Sequence, residues 1–170
     1  NASQKSNCTA MIGHEFRWAP QRSYVKELLD EGYIGGLRFV KSSLLVGASK
    51  VVKPRVLQNP DLGHRGGFLW ALGSHYIDGF RHWFGDISRV NATMHSHSPE
   101  RVDSKTGDIV LTKADDTFSV MMEFVNGGWG TLTGSSAAPF GQGANIEIFG
   151  DAGYLSTPQS FPGFNPLPDG

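Results

Sequence analysis

His75, Asp78 and His82 stand at i, i+3 and i+7 after a pair of glycines, Gly66-Gly67. At about 100° per residue, that spacing puts them on one stripe of a helix. Histidine titrates near neutral pH, and a carboxylate one turn away can hold its ring, so the stripe suits proton transfer. A structural reading stands beside this one, in which His75 is a boundary residue that only hydrogen-bonds Asp78. Three ligands from a single helix, with no fourth close in sequence, make a poor metal site, and no metal is expected. Trp70 lies on the polar side of the same helix and could stack on a ligand or simply pack. Arg65 and His64 could reach a substrate or remain solvated. Arg17 could contact a cofactor or substrate phosphate, or pair with a carboxylate. His95 and His97 read as surface residues of a strand.

The helix that carries this stripe is legible from its other face. Leu69, Leu72, Tyr76, Phe80 and Trp83 recur at helical spacing, with Ile77 and Phe84 at the edge, and Gly85 closes the run. Upstream, Thr9 to Phe16 reads as a short strand, and Pro20 opens a helix through Val25 and Leu29 to Gly32. Leu37 to Val46 alternates as a strand, with Leu37, Phe39 and Leu45 on the covered side. Prolines 54 and 60 favour a long loop from Val51 to Arg65. Downstream come strands from Ile87 to His97 (Val90, Ala92 and Met94 on one face) and from Thr117 to Val125 (Phe118, Val120, Met122 and Phe124 on one face). Asn126-Gly127 then signals a hairpin into Trp129 to Ser136, and Ala144 to Gly150 and Tyr154-Leu155 add further strands. The expected class is α+β, an open and mostly antiparallel sheet read as a meander. Helices cover one face, and the other is available for oligomerisation through Met121, Val125, Trp129 and Leu132.

Composition narrows the function. Fifteen basic residues nearly cancel sixteen acidic ones, without runs of like charge, which argues against nucleic acid or an anionic membrane surface as partner. The apolar stretches are too short to span a bilayer. The single cysteine, Cys8, cannot form an internal disulfide, so a cytoplasmic location is expected. No Gly-x-Gly-x-x-Gly occurs, so no cofactor-binding residue is assigned and no cofactor is expected for this chain alone.

Several segments, in order, resemble the C-terminal domain of the glucose–fructose oxidoreductase/inositol dehydrogenase (Gfo/Idh/MocA) family. They are His14-Glu15-Phe16-Arg17-Trp18-Ala19-Pro20, Lys26 to Gly32 with Ile34-Gly35, Asn59 to Asp78, Asp115-Asp116-Thr117 through Leu132, and Ile146 to Gly153. The resemblance implies an oxidoreductase using NAD or NADP on a sugar, polyol or related hydroxy or carbonyl compound. The cofactor would be bound mainly by a missing N-terminal Rossmann domain, and the enzyme would be a homo-oligomer built through the sheet. It also implies that His75 is the acid/base. The family commonly has an aspartate four residues earlier, where this chain has Ala71, so Asp78 is the candidate to stand in. The domain expectation is residues 1–16 as the last strand and exit of the missing domain, 17–156 as the substrate and oligomerisation domain, and 157–170 as an irregular, truncated tail. Such a fragment is inactive alone. The alternatives are a non-catalytic scaffold or binding module on the same sheet, and a metal-dependent hydrolase.

Overall fold

A computed structural model describes residues 5–6, 8–47, 55–57, 67–103, 106–111, 113–139, 141 and 143–159. Helix α1 (Pro20–Asp30) starts on the proline, whose fixed φ suits a first turn, and strand β1 (Leu37–Gly47) follows. A π-helical turn (Leu69–Gly73) runs directly into helix α2 (Ser74–Phe84), which stops at Gly85 with φ +89°. Strands β3 (Ile87–His95), β6 (Thr117–Phe124), β7 (Trp129–Pro139), β8 (Gly143–Gly150) and β9 (Tyr154–Gln159) join β1 in a six-stranded sheet of order β3-β6-β7-β1-β8-β9. A second sheet of three short strands holds β2 (Arg55–Leu57), β4 (Glu100–Asp103) and β5 (Ile109–Leu111). The architecture is the expected α+β layer, with a mostly antiparallel sheet and two helices on one face.

The core lies between that face and the helices. Phe118, Val120, Met122 and Phe124 of β6 are buried, as their alternation predicts, and meet Tyr76, Phe80, Trp83 and Phe84 of α2 in one apolar cluster. The opposite face leaves Met121, Val125, Trp129, Phe149 and Tyr154 exposed. Phe39 stacks between Trp129 and Phe149 there, with ring centroids 4.5 and 6.1 Å away. A shallow groove of about 350 Å³ opens beside them, lined by Arg89, Met121, Glu123 and Trp129.

Four sequence expectations need correction. Residues 8–14 are irregular and Glu15–Trp18 form a 3-10 turn rather than a strand; Met11 and Ile12, the apolar pair behind that reading, are both exposed and bury nothing that would hold a strand. In β1 the covered side is Val40, Ser42 and Leu44, joined by Leu37 across a register shift, and not Phe39 and Leu45; apolar residues on both faces leave the alternation without a sign. The strands are not a simple meander, since β1 is inserted between β7, with which it runs parallel, and β8. Leu132 is fully buried opposite Val120, so it belongs to the core and not to the bare face. Val90, Ala92 and Met94 do share one face, opposite Met122, Val120 and Phe118, and on edge strand β3 Val90 and Met94 are exposed. In addition, Arg55–Leu57 pair as a strand within the expected loop, and β9 continues past Thr157.

Candidate active site

The helix bearing His75 is seated by one buried carboxylate. Asp115 accepts a 2.8 Å hydrogen bond from the Leu69 amide, and its own carbonyl accepts one of 2.9 Å from Phe68 N–H. These satisfy two of the donors that a helix start leaves open. Gly67 is required at this point, because a Cβ there would lie 1.7 Å from Asp115 Oδ1. The π-helical turn that follows widens the helix just before His75, a distortion that recurs at functional sites.

Against the exposed end of this helix packs the 3-10 turn. The Phe16 ring stacks on the His75 imidazole at 4.1 Å, and His14 meets its edge at 5.1 Å. Arg17 Nε donates to Asp78 Oδ2 at 2.7 Å and its Nη2 donates to Oδ1, so two parallel bonds tie the turn to α2. His14 Nδ1 stands 3.4 Å from the same Oδ1. The structure thus brings together His75, Asp78 and Arg17, and selects the carboxylate pair between the two readings of Arg17. Asp78 is engaged by Arg17 and His14, not by His75.

Trp70 sits on the π-helical turn and is exposed, and so is Ala71. His82 lies beside Trp18, 5.8 Å between rings, rather than with His75. Arg65 and His64 fall outside the described residues. His97 Nδ1 pairs with Asp116 at 3.1 Å, distant in sequence from the helix. Among the described residues no group of three or more His, Cys, Asp or Glu side chains is placed to hold a metal ion.

Sequence reasoning missed Arg22, which is buried under this site at 2% exposure. Its guanidinium lies 4.6 Å from the Tyr76 ring and 5.3 Å from the Phe16 ring, against the bare backbone of Gly79. The signal was present, since Arg22, Val25 and Leu29 stand at i, i+3 and i+7 on the buried side of α1. Burial pushes the Tyr76 phenol up to about 12, although Arg22 works against it.

Burial also lowers the His75 pKa; Glu15 opposes this, while His14 and Arg22 add to it. The imidazole is therefore neutral at pH 7, the form that can accept a proton. Its Nδ1 is buried and has no hydrogen-bond partner among the described residues, so the edge left for a ligand is the one carrying Nε2. For Asp78, burial alone would raise the pKa, but the Arg17 hydrogen bonds and charge, with His14 beside them, bring it below its ordinary value. The pair's stabilisation is then full above the unfolded carboxylate value, about 3.9, and is lost as pH falls through the lower folded one. Asp78→Asn should cost about 1–3 kcal/mol at neutral pH. Thermal midpoints of the variant and the parent should converge below about pH 4, because the parent then loses the same contact.

The glycine turns offer no dinucleotide cradle. Gly127-Gly128 closes the β6–β7 hairpin, and Gly141 and Gly143 lie between β7 and β8, so neither turn feeds a helix N-terminus that could receive a pyrophosphate.

The model of the GFO/IDH/MocA C-terminal domain matches residues 23–156. An uncharacterized oxidoreductase of Synechocystis sp. is 32% identical over 145 residues, which make up 83% of this chain and 38% of that protein. Levoglucosan dehydrogenase, solved in complex with NADH, superimposes with a TM-score of 0.74 at 25% identity, over 91% of this chain and 41% of that one. An oxidoreductase from Thermotoga maritima does so with a TM-score of 0.69 at 30% identity, over 91% of this chain and 44% of that one. The chain therefore spans about two fifths of the length of its relatives. The family model covers most of the chain and the folds superimpose: the chain belongs to the GFO/IDH/MocA family, matching its C-terminal domain.

Proposed function

We propose that this chain is the substrate-binding and oligomerisation part of an NAD(P)-dependent oxidoreductase that acts on a sugar, polyol or related hydroxy or carbonyl compound. The observation that carries the proposal is His75 itself: a neutral, half-buried imidazole on a helix, whose Nδ1 is buried so that the Nε2 edge is the one left for a ligand, with Trp70 exposed five residues before it. In the oxidative direction Nε2 would take the proton of the substrate hydroxyl while the NAD(P) of the full-length protein would supply the acceptor for the hydride leaving the same carbon, so that the alcohol becomes a carbonyl; in the reverse direction Nε2 would return that proton. Trp70 offers an aromatic face for the apolar side of a sugar ring, and Arg65 precedes the glycines that lead into the same helix. The chain's own glycine turns do not fit the dinucleotide, so NAD or NADP would rest on an N-terminal Rossmann domain of the full-length protein. A cytoplasmic location fits the single cysteine, and no helix among the described residues is long and apolar enough to cross a membrane.

The test is to assay the full-length protein against a panel of sugars, polyols and hydroxy acids with NAD and with NADP, following reduction of the nicotinamide. Turnover of a sugar or polyol is the expected result. If no member of the panel supports turnover while the folded protein still binds its dinucleotide, the scaffold reading replaces this one. Two results are expected of this chain alone. Calorimetric titration with NADH should give no micromolar binding, and sedimentation should show self-association through the bare face with Phe39, Met121 and Trp129. A monomer at high concentration counts against the second.

A further inference from the structure

A neutral imidazole that works through Nε2 must carry its proton on Nδ1, and a buried N–H without an acceptor costs free energy. Three neighbouring groups of His75 are excluded as that acceptor by charge or by prior engagement. Asp78, on its own helix, is taken by Arg17 and His14. Arg22, reaching up from α1, is a cation and a donor, and so is Arg17. Positions 71 and 79, one turn to either side on α2, are alanine and glycine. What remains is Glu15 on the 3-10 turn, whose Oε2 stands 3.9 Å from His75 Nδ1. That carboxylate is 71% exposed and free to rotate, so a change of side-chain torsion closes the gap.

The geometry points to Glu15 as the positioning residue of the site: it accepts the Nδ1 proton of His75, and with the Phe16 stack it fixes the ring's tautomer and plane from the preceding turn rather than from the helix. This rests on the reading of His75 as the proton-transfer group. A carboxylate there does two things: it selects the tautomer that leaves Nε2 bare, and it stabilises the imidazolium formed when the substrate proton arrives. It also opposes the burial, His14 and Arg22 that weaken the base. The turn is held in place for this by the Arg17–Asp78 pair, which gives Asp78 a part in catalysis two steps removed.

Glu15→Gln in the full-length protein tests the inference, with Glu15→Asp and His75→Ala alongside. Glu15→Gln should lower kcat about tenfold, part of the 10²- to 10⁴-fold attributed to acid/base groups, with KM little changed. The low-pH limb of kcat/KM should move to lower pH, because loss of a nearby negative charge disfavours the imidazolium. Glu15→Asp keeps the charge and should fall between the two. Nitrogen NMR of the labelled histidines reads the same effect without turnover: the Nδ1–H tautomer of His75 dominates in the parent and loses population in Glu15→Gln. An unchanged pH limb and tautomer ratio in Glu15→Gln, with His75→Ala inactive, overturns the role of Glu15 and leaves the function standing. Activity retained in His75→Ala overturns the acid/base reading instead, and the tautomer ratio still decides whether Glu15 holds the ring.

Discussion

His75→Ala should reduce turnover of the full-length protein by about 10²- to 10⁴-fold while leaving KM nearly unchanged. The substitution removes the proton acceptor and little binding surface, so loss of the rate without loss of affinity separates chemistry from packing. The parent should also remain active at pH values below the ordinary histidine value of about 6.5, since burial keeps the imidazole neutral to lower pH. That limb should vanish in the variant. A purely structural histidine predicts the reverse, an earlier thermal midpoint and an intact rate per folded molecule.

Phe118→Ala should cost about 3–5 kcal/mol of stability, read from denaturant midpoints at constant slope. Phe118 is 1% exposed and lies 5.8 Å from the ring of Phe68, where the π-helical turn begins. Both Gly73 above it and Gly134 beside it have no room for a side chain; a Cβ on Gly134 would sit 2.5 Å from the ring. The ring is thus the floor on which the start of the His75 helix rests. Collapse into the cavity should tilt that helix, so activity should fall further than the fraction unfolded explains. Met121→Ala serves as the control: it lies on the same strand but faces outward at 51% exposure, and should change stability little.

Much of this was legible in the residues, and the failures share a cause. Strand β6 and helix α2 were readable because each has one apolar side, so period and burial carry the same information. Strand β1 was located but turned over, because Phe39 and Leu45 on one side match Val40 and Leu44 on the other. Its parallel place beside β7 depends on a partner ninety or so residues away, which no local pattern encodes. In the site, His75, Asp78 and Arg17 were named singly, but the pairing was misjudged: helical spacing suggested that Asp78 serves His75, whereas Arg17 from another element outcompetes it with two charged bonds. Glu15 and Phe16 were hidden by reading their turn as a strand. Arg22 was overlooked because an arginine on an apolar stripe looks like an interruption, when two aromatic rings make it part of the core.

The insertion of β1 between β7 and β8 sets the order in which the molecule can be completed. Leu37–Gly47 is made well before its neighbours on both sides, since Phe39 pairs with Trp129 and with Phe149. The β6–β7 hairpin can form as soon as its own residues appear, whereas the middle of the sheet must wait for a closure spanning most of the domain. Until then an apolar strand with two open edges is exposed to the wrong partners. A nascent chain stalled before Trp129 would therefore be an aggregation-prone half-sheet, and deleting β8 would unfold the centre of the molecule rather than trim its edge.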